Sequence, residues 1–222
     1  MVEIREVKTK REKRAFAEFP LQLYKDCPQY VPDLISDEIA NFEPKKNPAF
    51  DFCEARRFLA YKDGVLAGRI AAIISHAANE KWHTSRIRFT RVDFIDDYEV
   101  SSALFNAVIA WGKERGLKEI HGPIGFCDLD QEGMLVEGLN QDSNFITIYN
   151  YPYYKEHLAK LGFVKDTDWV EYKIKIPEQV DHRIERLSQL VMKRSKMRLA
   201  SFNSTGDSPL SKGCHARNQR CV

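Results

Sequence analysis

The sequence predicts an α+β domain built on a central mixed, mostly antiparallel sheet with one bulged strand and flanking helices. Three observations carry this. Residues 57–74 read as strand, Lys62-Asp63-Gly64 turn and strand, which is the signal of a β-hairpin. Residues 87–94 are rich in β-branched and aromatic types, but Ile87 and Phe89 fall on one face of a regular strand while Val92 and Phe94 fall on the other. A period of two changes phase only through an extra residue, so a β-bulge is expected near Thr90 or Arg91. Finally, the helical stripe Val100, Leu104, Phe105, Val108 and Ile109 separates this strand from the next, at 119–126. Two strands joined through a helix are expected to be parallel, with a right-handed crossover.

The other elements follow in order. Val2, Ile4 and Val7 suggest a short first strand. Thr9-Lys10-Arg11-Glu12 is a capping box, and the helix it opens turns Phe16 and Phe19 inward until Pro20 kinks or ends it. Pro28, Pro32, Pro44 and Pro48 divide an irregular region with one short helix inside 32–42, either part of an acceptor cleft or a connector packed on the core. The second hairpin strand, 65–74, is almost wholly apolar apart from Arg69, as expected of a central strand covered on both faces. Residues 76–82 read as a connector, and Gly116 as the stop of the Val100 helix. A polar loop, 128–143, leads to a short helix within 149–163, with Pro152 at its start and Gly162 at its end. Residues 168–176 alternate well enough to be a last strand.

Composition excludes several classes. The net charge is +2, an excess accounted for by Lys212, Arg217 and Arg220 against Asp207 near the end of the chain, so no general nucleic-acid surface is expected. The start lacks the apolar core of a signal peptide and no run is long enough to span a membrane, so a cytoplasmic protein is expected. Five scattered cysteines argue against a disulfide framework. No histidine spacing suits a metal, Cys214-His215-Cys221 lacks further ligands, and the calcium-like start Asp128-Leu129-Asp130-Gln131-Glu132-Gly133 has Leu139 where the bidentate acid belongs. The expected metal set is therefore none.

The 58–68 hairpin, the bulged strand entering the Val100 helix, and the run from Asn150 to Leu161-Gly162-Phe163 together resemble the GNAT superfamily of acyl-CoA-dependent N-acyltransferases. The resemblance covers residues 2–177. The 16–34 region and the aromatic run 149–154 also look like an uncharacterised bacterial branch of longer chains. The resemblance implies transfer of an acyl group from acetyl-CoA or another acyl-CoA to a small-molecule or peptide amine. It would place pantetheine near Asp93, Phe94 and Ile95, and pyrophosphate on the helix N-terminus at Tyr98, Glu99, Val100 and Ser101. Asn150 and Tyr154 would face the cofactor from the other side.

Two departures bear on the chemistry. The family's glycine-bearing pyrophosphate turn is here Phe94-Ile95-Asp96-Asp97-Tyr98-Glu99-Val100, with three carboxylates and no glycine. Such acids cap a helix and compete with a phosphate for the same amides. The family's thiolate-protonating tyrosine falls at Leu158, leaving Tyr153, Tyr154 or His157 to substitute, and Glu132 or Glu137 to relay the amine proton. The alternative is a non-catalytic GNAT-like module that supports a partner domain or subunit, with a degenerate pyrophosphate loop.

Past the last strand, Val180, Ile184, Leu187, Leu190 and Val191 recur at helical spacing, so 178–199 is expected to be an amphipathic helix with a basic end. Residues 200–222 are expected to form a disordered tail. The change of character near Ser201 suggests a shortened chain or a frame change. That leaves two arrangements in view, a homodimer and a missing second GNAT-like half.

Overall fold

The computed structural model describes residues 1–144, 146–175, 178 and 181–195. Contacts divide the chain into two units, Met1–Asp168 and a second beginning at Trp169. The first unit holds a five-stranded sheet in the order β1-β2-β3-β4-β5. Its strands are β1 (Val2–Glu6), β2 (Cys53–Lys62), β3 (Val65–Ser75), β4 (Arg86–Phe94) and β5 (Glu119–His121). The first four run antiparallel, and β5 lies parallel to β4. The helices are α1 (Lys10–Leu23), α2 (Ile35–Asn41), α3 (His76–Lys81), α4 (Tyr98–Glu114) and α5 (Tyr153–Lys160).

The apolar run of β3 is explained by burial on two sides. Ile70, Ala72 and Ile74 enter a core under α4 and α5, while Ala71 and Ile73 enter a second core with Phe16 and Phe42. On α4, Val100, Leu104, Phe105 and Val108 are fully buried, each worth about 1.5–3 kcal/mol relative to exposure. Ile109 is only half-buried, and Trp111 completes the stripe instead.

The bulge is where the change of phase requires it. Arg69 pairs with Asp93 and Ala71 with Thr90, so Arg91 and Val92 of β4 face the single residue Ile70 of β3. Arg91 has φ of 47°, the left-handed conformation that absorbs the extra residue. The consequence is that Ile87, Phe89, Val92 and Phe94 all enter the same core. The side chains of Arg69, Arg91 and Asp93 are delivered together to the opposite face.

Four expectations are corrected. Helix α1 does not end at Pro20 but continues to Leu23. Residues 76–82 are not a plain connector, because Ser75 caps a short helix by accepting the Ala78 amide. The strand after α4 stops at His121 and does not reach Phe126. Residues 168–175 have no regular structure, and Ile176 lies outside the described residues. A strand exists only through a neighbouring ladder, and among the described residues no pairing reaches this segment. In the second unit, α6 (His182–Ser195) carries the predicted stripe at Ile184, Leu187, Leu190 and Val191. The rest of the predicted 178–199 helix and the 200–222 tail fall largely outside the described residues. Among those residues no helix is long and apolar enough to cross a membrane.

Candidate active site

A proline in helix α1 begins the site. Pro20 has no N–H, so the carbonyl four residues earlier, on Phe16, loses its helical partner. Arg69 Nη1 donates to that carbonyl at 2.8 Å. The same guanidinium donates through Nε to Asp93 Oδ2 at 2.7 Å across the β3–β4 ladder. Arg91, turned by the bulge, donates to both oxygens of Glu38 on α2 at 3.1 and 3.2 Å, and to Asp130 Oδ1 at 2.8 Å. Arg69, Asp93, Arg91 and Glu38 are buried and Asp130 half-buried, and the neighbouring carboxylates hold both guanidinium pKa values above the ordinary arginine range despite desolvation.

Asp93 connects this pair network to a chain of phenols. Tyr24 Oη donates to Asp93 Oδ1 at 2.9 Å, and Tyr154 Oη lies 2.9 Å from Tyr24 Oη. Because the Tyr24 proton points to the carboxylate, Tyr154 is the donor in the second bond. Tyr154 Oη in turn accepts the amide of Phe94 at 3.1 Å. Burial and the Asp93 charge push both phenols well above the usual tyrosine range. A cavity of about 40 Å³ opens beside the bulge, lined among others by Tyr30, Asp33, Arg69, Arg91, Asp93 and Tyr154.

The expected cofactor positions lie together at the end of β4 and the start of α4. Phe94 has both backbone groups engaged, its N–H by Tyr154 and its carbonyl by Tyr153 Oη at 2.5 Å. Its ring stacks on Tyr154 with centroids 4.2 Å apart. Ile95 and Tyr98 are partly exposed, whereas Val100 and Ser101 are buried. At the α4 N-terminus Asp97 accepts the Glu99 amide at 2.9 Å, and Lys62 pairs with both Asp97 and Glu99. A pyrophosphate there would meet these carboxylates, so the turn fits that group poorly, while Lys62 is a cation already at hand. The Asn150 amide is committed to the 128–143 loop, accepting from Leu135 N at 2.7 Å and donating to Leu135 O at 3.0 Å.

The candidate proton carriers divide by position. Tyr153 is half-buried at the slot beside Phe94. Burial and the Asp96 charge raise its phenol pKa, which keeps it protonated. His157 is buried between two partners, with Nδ1 2.8 Å from Ser101 Oγ and Nε2 3.0 Å from Asp96 Oδ1. A carboxylate only accepts, so Nε2 carries a proton and the imidazole ties α5 to the α4 turn. Glu137 lies on an exposed loop and does not line the cavity, and Glu132 is half-buried on the same loop. Sequence reasoning missed Tyr24, Asp33, Glu38, Arg69 and Arg91. Arg69 was the available signal, since a charge within an apolar central strand demands a partner.

The sheet, the bulge and the helix that follows it have the layout that the GNAT resemblance implies. No protein-family model matches the chain. Over 165 residues it is 32% identical to protein YghO of Escherichia coli, a match covering 74% of this chain and 42% of that protein. Over 186 residues it is 29% identical to a bacterial ceramide synthase of Caulobacter vibrioides, covering 81% of this chain and 48% of that one. The chain thus spans less than half the length of these two curated relatives. Among solved structures it is similar to an aminoglycoside N-acetyltransferase in complex with CoA, at 17% identity, with 79% of this chain and 96% of that one covered and a TM-score of 0.47.

Proposed function

We propose that the chain is the GNAT-like part of an acyl-CoA-dependent N-acyltransferase, moving an acyl group from the thioester to an amine. The observation that carries the reading is the divergence of β4 and β5. Their parallel pairing ends at Arg88 and His121, just before the bulge, and β4 runs on to Phe94 with β3 on one side and no strand on the β5 side. Such a gap between two strand ends gives a thioester arm backbone groups to bond and brings it against the amine at a fixed distance. The Phe94 backbone would serve the pantetheine once the Tyr153 and Tyr154 hydroxyls withdraw, and Lys62 would meet the phosphates. Tyr153, kept protonated at the slot, is the group best placed to protonate the departing thiolate. A ceramide synthase among the relatives is consistent with N-acyl transfer.

One observation favours the second reading, a non-catalytic module supporting a partner half. The α4 N-terminus is filled by Asp97, Glu99 and Lys62. Thermal unfolding with acetyl-CoA and a long-chain acyl-CoA tests the choice. Binding at a hundred times the dissociation constant stabilises by about 2.7 kcal/mol. No shift with either thioester leaves the supporting-module reading. A shift, together with release of free CoA thiol on adding primary amines, upholds the transferase.

A further inference from the structure

We propose that Asp33 is the carboxylate that receives the acceptor's ammonium group, in the tyrosine-walled cavity beside the bulge. This rests on the acyl-transfer reading above and adds to it the residue that recognises the acceptor. Six charged side chains gather at this place, and five of them satisfy one another. Arg69 pairs with Asp93, and Arg91 pairs with Glu38 and Asp130. Two guanidinium groups therefore face four carboxylates once Asp33 is counted, and among the described residues no lysine or arginine nitrogen stands within ion-pair distance of Asp33. Its Oδ1 accepts from Gln131 Nε2 at 2.9 Å, which orients the carboxylate. Burial and the nearby Glu38 charge raise its pKa, against the opposing pull of Arg91, Gln131 and Arg69.

The walls suit the same guest. Tyr30 and Tyr149 line the cavity, and aromatic rings attract a cation brought against them. Both are held through Tyr24, which stacks on Tyr30 at 4.6 Å and meets Tyr149 edge-on at 5.7 Å. At about 40 Å³ the cavity has room for the head of an amine. One water needs about 10–15 Å³ on this measure. A carboxylate or phosphate in the same place would be repelled by Asp33.

The test titrates the chain with n-propylammonium chloride and follows the tyrosine ring resonances by NMR, with sodium propionate and 1-propanol as charge controls. The expected result is that rings shift with the ammonium alone, and that Asp33→Asn, which keeps the Gln131 contact, weakens binding by about tenfold or more. Equal binding by Asp33→Asn, a response to propionate, or no response to the ammonium overturns the proposal. Acyl-CoA stabilisation of the same sample separates the two readings. Ammonium binding without an acyl-CoA shift removes only the transferase, and an acyl-CoA shift without ammonium binding removes only the role of Asp33.

Discussion

The hydroxyl of Tyr154 accepts the backbone N–H of Phe94 at 3.1 Å, so a side chain of α5 occupies the hydrogen-bonding edge of β4 where a neighbouring strand is missing. Tyr153 takes the carbonyl of the same residue. The two phenols thereby satisfy a strand end that would otherwise be orphaned, at the place where the proposed function puts the thioester arm. Tyr154→Phe leaves the buried Phe94 amide and the Tyr24 hydroxyl short of a partner, and is expected to cost about 1–3 kcal/mol in urea unfolding. Tyr153→Phe leaves the carbonyl of the buried Phe94 without this donor, is expected to cost a similar amount, and is expected to tighten acyl-CoA binding. If Tyr154→Phe is as stable as the parent, the bond contributes nothing and the closed slot is not a feature of the fold.

Two buried arginines on one face of the sheet are expected to respond in opposite directions. Arg91 has Glu38 and Asp130 as partners, so Arg91→Met leaves the buried Glu38 with only a 3.9 Å contact to Arg69 and the half-buried Asp130 without its cation, and should destabilise by about 3 kcal/mol. Arg57 is also buried, and it stacks on Phe42 at 5.0 Å, yet its Nη1 has no hydrogen-bond partner and desolvation lowers its pKa. Arg57→Met removes a desolvated charge and keeps the packing, so its stability should match or exceed that of the parent. Chemical denaturation of both variants decides it, and comparable losses would show that Arg57 is held by more than its aromatic neighbours.

The difference between those residues also marks what could be read from the chain. The bulge was legible because Ile87 and Phe89 and then Val92 and Phe94 change phase, a local property of one strand. The capping box at Thr9 and the turn at Gly64 were legible for the same reason, since each motif contains its own partner. The arginine network was not, because Glu38, Arg69, Arg91 and Asp130 come from four separate segments and meet only after the sheet forms. The missing strand at 168–175 fails differently. Its alternation is real, but pairing requires a neighbour that periodicity does not supply.

Gly68 is expected to be intolerant for reasons of space. A Cβ built there lies 2.8 Å from Leu104 Cδ1 and 3.1 Å from the Asp93 carbonyl, between α4 and the strand end that carries the network. Gly68→Ala forces α4 away or displaces Asp93, at a cost of about 1–3 kcal/mol. Thermal melts read the cost, and Leu104→Ala placed on top should recover part of it if the α4 contact dominates.

The α4 turn supplies a prediction in which pH and ligand binding are joined. Lys62 and the Glu99 amide hold the Asp97 carboxyl below its ordinary range. A depressed carboxylate contributes stability above its unfolded pKa, near 3.9, and loses that contribution as pH falls through the lower folded value. Asp97→Asn keeps the cap, because Asn serves at that position nearly as well as Asp, but it removes the charge and the Lys62 pair. The parent should therefore be more stable than Asp97→Asn at neutral pH by under about 1 kcal/mol, since the pair is near the surface. The gap should close as unfolding is followed into acid, and constant separation down to the lowest pH would show that the charge is not its source. The same substitution removes an anion from the end of a helix whose dipole favours one, and releases Lys62 to meet another. Acyl-CoA should then bind more tightly to Asp97→Asn than to the parent, while free acetate, which has no pyrophosphate, should not distinguish them. A variant that gains no affinity would mean that the phosphates, if they bind this chain, do so away from α4.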